Sequence, residues 1–310
     1  MKKLLIIDGN ALMHRAFHAL PDFSNIEGVP TNAVYGFASV LHKTRKELNP
    51  SNILVCFDHP APTFRDALFK EYRTQRPKTD DALISQFPIV RDFLTAAGIY
   101  HVEKEGFEAD DLIAMAVKKA EAEGFTTIIL TGDKDIFQLI SKKTFVLTPQ
   151  IGYKKEGTLY DEQKVEEKFG VSPQHIPDYK SLVGDPSDNY KGVPGIGPKA
   201  ALDLLQKYHT VENVYEHLEE LKNTKVYELL NTHKESALLA KELALLVNVS
   251  DEVQLELDQT FFDHYNESLR DFFNTYQIRS LQQRFFADAK PKPVMKEQKN
   301  QDSENQIKLF

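Results

Sequence analysis

Acidic side chains in five short groups are the residues of this sequence best suited to do chemistry. Three groups directly follow apolar runs, a fourth opens a helical pattern, and a fifth lies in a loop rich in Gly and Pro. The nine acids of these groups are Asp8, Asp58, Glu108, Asp110, Asp111, Asp133, Asp135, Asp185 and Asp188. Brought together, so many carboxylates repel one another unless cations lie among them. Oxygen ligands without cysteine or an organised histidine set select Mg²⁺ or Mn²⁺ over zinc.

Phosphodiester hydrolysis is the reaction that such a set of acids favours. Two ions held roughly 4 Å apart can activate a water molecule and stabilise the phosphate and the leaving oxygen. The sequence has no Ser-His-Asp arrangement, no reactive cysteine and no phosphate-binding Gly-Lys-Ser/Thr loop, so it offers neither a rival nucleophile nor an ATPase motif. Its one cysteine, Cys56, lies in an apolar run, which excludes an internal disulfide and a cysteine-based zinc site.

Each acid group also has a purely structural interpretation. Asp8 and Asp133 fit helix N-caps, and Asp185 and Asp188 fit turns. Five groups directed toward one end of one sheet are better explained by bound cations. The nearby histidines at 14, 18 and 59 are more typical of surface or packing residues than of ligands.

Alternating strand and helix patterns position these acids. Buried strands are predicted at Leu4–Ile7, Ile53–Phe57 and Thr126–Leu130, and helices at Asn32–Leu48, Ile84–Ala97 and Asp110–Glu123. The alternation predicts an α/β fold with a mostly parallel central sheet flanked by helices. Ligand sites of such sheets form at the carboxyl ends of the strands, where three acid groups then meet. Helical spacing places Glu108 and Asp111 on one face and turns Asp110 aside.

The composition permits a nucleic-acid partner despite a net charge of -8. The nine acids account for more than this excess, so the rest of the chain is close to neutral. No apolar run approaches the roughly 20 residues of a spanning helix, and Leu4–Ile7 is too short for a secretory signal. We expect a cytoplasmic protein without a membrane partner.

A basic stretch with aromatic residues runs from residue 64 to residue 81. Lys and Arg side chains can follow a phosphate backbone, and Tyr72 can stack on a base of any sequence. The alternative is a solvated, charged helix. The basic and aromatic residues of this stretch are Arg65, Lys70, Tyr72, Arg73, Arg76 and Lys78.

These features together resemble the 5′ nuclease domain of bacterial DNA polymerase I, within the flap endonuclease superfamily, over about residues 1–287. The resemblance rests on motifs in the same order along the chain: Leu5–Asn10, Arg15–Ala19, Phe57–Asp58, Tyr72–Pro77, Gly106–Asp111, Thr131–Asp135, Gly184–Asn189 and Gly192–Gly197. It implies a structure-specific 5′-3′ exonuclease and 5′ flap endonuclease that acts in primer removal and repair. Its partners would be branched or nicked DNA with a free 5′ end and RNA/DNA primers.

The resemblance also implies roles for individual residues. Asp8, Asp58, Glu108, Asp110 and Asp111 would build the first metal site, and Asp133, Asp135, Asp185 and Asp188 the second, with Mg²⁺ or substituting Mn²⁺. Catalysis would centre on Arg73, Asp110 and Asp133, although the family commonly has Lys where Arg73 stands. DNA contacts are implied for Arg15, Phe17, Tyr72, Arg73, Arg76, Gly192, Gly195, Gly197 and Lys199.

Three parts of the chain are expected. Residues 1–171 form the α/β nuclease domain, with a helical arch at about 64–95. Residues 172–287 form a helical helix-three-turn-helix DNA-binding module, whose turn at 192–197 is implied to bind K⁺, and a return to the first domain. Residues 288–310 are a polar tail that we expect to be disordered.

The last five residues contain Gln306, Leu309 and Phe310 and are similar to the short peptides by which bacterial replication proteins bind the sliding clamp. The resemblance leaves open a freestanding monomeric nuclease or the nuclease portion of a longer chain. The alternatives are a PIN-type ribonuclease, which shares an acidic α/β centre, and a non-catalytic DNA-junction binder tethered to the clamp.

Overall fold

A six-stranded sheet organises the first half of the chain in the computed structural model, which describes residues 2–149 and 157–287. Its order is β3-β2-β1-β4-β5-β6, and every neighbouring pair is parallel except β5 and β6. The strands are β1 (Lys3–Asp8), β2 (Asn52–Cys56), β3 (Tyr100–Val102), β4 (Thr126–Leu130), β5 (Thr144–Leu147) and β6 (Leu159–Tyr160). The predicted α/β class is confirmed.

Helices cover both faces of this sheet and form the second half of the described chain. They are α1 (Gly9–Ala19), α2 (Asn32–Leu48), α3 (Phe64–Leu68), α4 (Asp81–Ile84), α5 (Gln86–Ala97), α6 (Ala109–Ala122), α7 (Glu162–Phe169), α8 (Ile176–Val183), α9 (Pro198–Tyr208), α10 (Val211–Glu216), α11 (Lys225–Thr232), α12 (Lys234–Ala244), α13 (Ser268–Thr275) and α14 (Arg279–Phe286). None of the helices in the described part of the chain is long and apolar enough to cross a membrane.

The central strands are buried on both faces, as their unbroken apolar runs predict. Leu4 and Ile6 pack with α6 on one face, whereas Leu5 and Ile7 pack with α2 and α5 on the other. The register pairs Ile7 with Val55 of β2 and with Leu130 of β4. These three strands therefore end level with one another, and the acids that follow them share one edge of the sheet.

The helix starts at this edge are defined by acidic residues. The Asp8 side chain caps α1 by accepting a hydrogen bond of 2.9 Å from the Ala11 amide. Glu108 precedes α6, and its own amide donates to Asp111 Oδ2 at 3.2 Å. A carboxylate at a helix N-terminus is stabilised by unpaired amides and by the helix dipole. The structural and chemical interpretations of these acids are therefore compatible.

The predicted helical arch at about 64–95 differs from the observed structure in length and in helix content. Only α3 and the four-residue α4 are helical before residue 85, with turns and coil between them. Helix α5 belongs to the main core, where Phe93 packs on Phe37 and Phe273. Its apolar side chains explain this position, so the candidate arch ends near residue 84.

The last helices of the second half pack against the first half. Within the second half, α8 contacts α9 and α12, whereas α13 and α14 return to the first domain against α5 and α2. Phe272 and Phe273 of α13 join the core that contains Phe93. Helix α13 thus packs against the first domain in the part of the chain where the sequence predicts the return.

Candidate active site

A cleft of about 730 Å³ opens at the carboxyl ends of β1, β2 and β4. Five of the nine predicted acids line it: Asp8, Asp58, Glu108, Asp110 and Asp133. They come from the ends of three strands and from the start of α6, which is where the sequence places them. Basic side chains of the candidate arch, Arg73 and Arg76, line the opposite wall.

Asp8 is held in one orientation at the base of the cleft. Its Oδ2 accepts a hydrogen bond of 2.7 Å from the Thr131 hydroxyl, and its Oδ1 caps α1. Burial raises the pKa of Asp8 to about 7, although both hydrogen bonds favour the charged form, and the nearby Asp58 and Asp133 raise it further. A carboxyl in such surroundings is poised to exchange its proton for a cation.

The pKa values of two neighbouring acids, Asp110 and Glu108, are raised as well. Burial, followed by the charges of Asp133, Asp8 and Glu108, raises the pKa of Asp110 well above its ordinary range. Burial also raises the pKa of Glu108 to about 7 against the opposing effect of nearby arginines. Asp58 is positioned by the Asn10 side chain, which accepts from its amide, and by the Ala109 amide, which donates to its Oδ1 at 2.7 Å. The cleft thus concentrates negative charge that its own hydrogen bonds do not neutralise.

Glu108 and Asp111 share one face beside Arg65, and Asp110 is turned away from it, as helical spacing predicts. Asp110 lines the cleft, whereas Asp111 is fully buried and faces Arg65. Asp111 accepts two hydrogen bonds from the Arg65 guanidinium, at 2.7 and 2.9 Å, and one of 3.0 Å from the Val247 amide. Its oxygens are already satisfied, so Asp111 supports the site without lining the cleft. Periodicity places residues on a helix but does not identify their long-range partners.

Arg65 has a different role from the one that its place in the basic stretch suggested. Its side chain is 1% exposed, and it also donates to the carbonyl oxygens of Leu243 and Leu245. Arg65 therefore joins α3, α6 and the end of α12, and it cannot follow a phosphate backbone.

A second acid group lies beside the cleft. Asp135, Asp185 and Asp188 each offer an oxygen within 4.8 Å of the others, a geometry that could hold one metal ion. Lys180 of α8 contacts both Asp135 and Asp185. Burial raises the pKa of Asp135 to about 6 despite Lys180. For Asp185, burial is outweighed by Lys180 and by Ser187, which lower its pKa to about 2. Sequence reasoning missed Lys180, whose only signal is a cation one turn before the Gly184–Asn189 loop.

The arginines of the candidate arch join the two acid groups. Arg73 contacts Glu108 at 2.7 Å and Asp188 at 3.5 Å, and Arg76 contacts Asp188 at 2.5 Å. Arg73 has a left-handed backbone (φ 54°) that places it over the cleft. Two of the three predicted DNA-contact arginines, Arg73 and Arg76, are thus beside the acids in this structure.

Tyr72 is not available to stack on a base, contrary to expectation. It is 4% exposed and packs among Tyr190, Ala240 and Leu243. Its hydroxyl lies 3.2 Å from Asp188 Oδ2 and 3.4 Å from Glu108 Oε2. Burial and these acids raise its pKa, so Tyr72 remains a neutral hydrogen-bond donor between the two acid groups.

The remaining cleft wall is formed by α1. His14 and His18 line the cleft, and burial together with His18 lowers the pKa of His14, which favours its neutral form. The sequence predicts surface or packing roles for these histidines and does not predict that they line the cleft. Arg15 is exposed beside Gly132, and Phe17 is partly buried against the core. These two predicted DNA contacts therefore lie near the cleft but do not line it.

The Gly-rich turn between α8 and α9 has the close packing that its glycines suggest. A side-chain carbon on Gly192 would come within 2.5 Å of the Leu182 backbone, and Gly195 has φ 95°. Gly197 is open, and Lys199 is exposed in the first turn of α9. Ser236 of α12 donates to the Gly192 carbonyl at 2.8 Å. The exposed amides at the start of α9 form a site suited to a phosphate.

The donor chemistry of both acid groups fits divalent metal ions. All the candidate ligands are carboxylate oxygens, and burial raises the pKa of Asp8, Glu108 and Asp110. Hard cations favour such ligands. The residues placed to hold an ion are Asp8, Asp58, Glu108, Asp110 and Asp133 in the cleft and Asp135, Asp185 and Asp188 beside it.

Comparison with known families matches nearly the whole described chain. Residues 3–170 match the 5′-3′ exonuclease N-terminal resolvase-like domain, and residues 171–268 match the 5′-3′ exonuclease C-terminal SAM fold. The chain belongs to the 5′-3′ exonuclease family. The predicted family and the predicted nuclease class are thereby confirmed.

Sequence relatives of this chain include a 5′-3′ exonuclease and a DNA polymerase I. It is 42% identical over 219 residues to the 5′-3′ exonuclease of Aquifex aeolicus, covering 71% of this chain and 74% of that protein. It is 44% identical over 246 residues to DNA polymerase I of Bacillus subtilis, covering 79% of this chain. The chain spans only 28% of the length of that polymerase.

Solved structures show the same fold at lower identity. A bacteriophage T5 flap endonuclease in a complex with DNA and metal ions matches with a TM-score of 0.64 at 20% identity, over 93% of this chain and 97% of that one. The catalytic core of Rad2 in complex with DNA substrate matches with a TM-score of 0.59 at 15% identity, over 92% of each chain. At these identities, the two matches show that the chain shares the fold of these proteins.

Proposed function

We propose that this protein is a structure-specific 5′ nuclease, with 5′-3′ exonuclease and 5′ flap endonuclease activity on DNA, that depends on Mg²⁺. The observation that carries the proposal is the cleft, in which five buried or half-buried acids face two arginines. This pairing suits a phosphate, because the arginines can bind its oxygens while the acids hold cations near it. Two structural neighbours solved with DNA, one of them also with metal ions, support the choice of substrate.

The chain's own residues would prepare the reaction in three ways. Thr131 and the start of α1 hold Asp8, and the Ala109 amide holds Asp58, so both carboxylates are fixed at the cleft that they line. Divalent ions bound there would supply a water of lowered pKa and stabilisation of phosphate charge. Arg73 is placed to bind an oxygen of the scissile phosphate once Glu108 is engaged elsewhere. Hydrolysis of the bond to the 3′ oxygen leaves a 5′ phosphate and a 3′ hydroxyl.

Substrate shape, and not base sequence, would determine recognition. The turn at 192–197 offers backbone amides and Lys199 to a duplex phosphate, and none of these groups distinguishes bases. Carbonyls of the same turn are the candidate K⁺ ligands, with Ser236 beside them. Arg15 and Phe17 lie near the cleft and are candidate contacts for the other DNA arm. Free 5′ ends, nicks and primer junctions fit this arrangement.

Cleavage of a 5′-labelled DNA flap, compared with single-stranded RNA of the same sequence, tests the proposal. The proposed nuclease cuts the flap in Mg²⁺ and leaves the RNA largely intact. Preferential RNA cleavage would favour the PIN-type ribonuclease, and flap binding without cutting would favour a non-catalytic junction binder.

A cellular role follows from the polymerase relatives. We infer that the protein acts as a monomer in the bacterial cytosol and nucleoid, where it removes RNA primers and displaced flaps during replication and repair. The clamp peptide Gln306–Phe310 lies outside the described residues, and its proposal rests on the sequence alone. A tethered peptide would raise the local concentration of nuclease at replicating DNA.

A further inference from the structure

Lys180 occupies the second acid group itself. It lies on α8, one turn before the loop that carries Asp185, and its ammonium contacts Asp135 and lies 2.5 Å from Asp185 Oδ2. Its side chain is only 14% exposed. Since Asp135 follows β4 and Asp185 follows α8, Lys180 neutralises acids from two different parts of the fold.

The two acid groups consequently differ in charge. In the second group, three carboxylates face the ammonium of Lys180 and the guanidinium of Arg76. In the cleft, Glu108 is paired with arginines. Across residues 2–149 and 157–287, the four cleft aspartates make no ion pair: Asp8, Asp58, Asp110 and Asp133. Cations are therefore attracted more strongly to the cleft than to the second group.

We propose that Lys180 is a built-in counter-ion that competes with a divalent ion for Asp135 and Asp185 and so weakens binding at the second acid group. The inference deepens the proposed function, on which it rests. An ammonium and a divalent ion cannot share the same carboxylate oxygens, because they repel each other at that distance. Lysine suits such an exchange, since its charge sits at the end of a flexible stem that can swing away. The cleft then fills before the second group.

The competition predicts a gain of affinity when the charge is removed. Lys180→Gln leaves Asp135 and Asp185 without this counter-ion. We expect it to increase the Mn²⁺ affinity of the weaker class of sites about tenfold or more, while the affinity of the tighter class is unchanged. Damage to the fold would weaken ion binding, so a gain separates the counter-ion role from a merely structural one. Lys180→Arg keeps the charge and is expected to bind like wild type.

Mn²⁺ is titrated into the full chain without DNA and followed by electron paramagnetic resonance and calorimetry. This titration measures the Mn²⁺ affinity of both classes of sites. Lys134→Gln is the matched control, because Lys134 precedes Asp135 in the chain, is exposed, and makes no ion pair in the described part of the chain. It is expected to bind Mn²⁺ like wild type. Thermal unfolding should show that Lys180→Gln is less stable than wild type in EDTA and is stabilised more by Mn²⁺.

Equal Mn²⁺ affinities in wild type and Lys180→Gln would overturn the counter-ion role and leave the proposed function standing. A Gln variant that stays unfolded at every Mn²⁺ concentration would overturn it too, by showing that the fold requires the lysine. Absence of ion binding in wild type and variant alike would overturn the proposed function itself.

Discussion

Single buried carboxylates determine how the stability of the metal-free protein changes with pH. Burial raises the pKa of Asp8 and of Glu108 to about 7, above the values of an unfolded chain. The native state therefore binds protons that the unfolded state has released, and the stabilisation present at acidic pH is lost as the pH rises through about 7. Each group contributes on the order of a few kcal/mol to this loss.

We therefore expect the thermal midpoint in EDTA to fall between pH 5 and pH 8, and Mg²⁺ to reduce the fall. Asp8→Asn removes one of the strained charges and should unfold at a higher temperature than wild type in EDTA at pH 8. A midpoint that is constant or rises over this pH range would contradict the raised pKa values of these buried acids.

Arg73 is expected to contribute more to stabilising charge on the scissile phosphate than to the stability of the fold. Its side chain is part-buried over the cleft, and Arg73→Ala should lower single-turnover flap cleavage by about 10²- to 10³-fold, with a smaller effect on DNA affinity. Arg73→Lys should restore much of the rate, because it retains a cation at the same place.

Lys142→Ala provides the control for Arg73, since Lys142 is exposed before β5, at the opposite edge of the sheet. It should cleave like wild type. If Arg73→Ala cleaves as fast as this control, Arg73 has no role at the scissile phosphate.

At the scale of elements, we expect two glycines of the turn between α8 and α9 to have different roles, one in packing and the other in DNA binding. Gly192→Ala would force a methyl group against the Leu182 backbone and should destabilise the protein by about 1–3 kcal/mol. Gly197→Ala meets no atom within 4 Å and should leave stability nearly unchanged. It should nevertheless weaken duplex binding, because its methyl group projects where a phosphate would approach.

Denaturant unfolding and duplex-binding titrations distinguish the two variants. Equal loss of stability in both would show that the turn is only structural. Unchanged duplex affinity in Gly197→Ala would remove this turn from the DNA interface.

Strands and helix starts could be predicted from sequence because their signals are local. Unbroken apolar runs identified the three central strands, and the acids that follow them entered one cleft as the parallel sheet requires. The partners of individual charges could not be predicted. Asp111 faces Arg65, 46 residues away, and Lys180 faces Asp135, 45 residues away. Only packing between elements brings such pairs together.

The burial of Tyr72 shows the same limit. An aromatic residue among basic ones is typical of a stacking surface, yet α12 covers this side chain in the folded chain. The sequence likewise predicts α5 as part of the arch, whereas its apolar face packs in the main core.

At the scale of the whole molecule, a net charge of -8 is compatible with a DNA partner because the acids are gathered at the proposed metal sites. The tail supplies an independent prediction. Deletion of residues 306–310 should abolish binding to the sliding clamp in a pull-down assay and leave flap cleavage without the clamp unchanged. Persistent clamp binding after this deletion would exclude the peptide as the contact.

The central claim is that the two acid groups hold divalent ions that cut DNA at a free 5′ end. Cleavage of a 5′-labelled double-flap DNA by wild type, Asp110→Asn and Asp185→Asn, each with Mg²⁺ and with EDTA, tests it most directly. We expect wild type to cut in Mg²⁺ but not in EDTA, and both variants to lose most of the cutting while they still bind the flap. Undiminished cutting in EDTA or by Asp110→Asn, or flap binding by wild type without cutting in Mg²⁺, would contradict it.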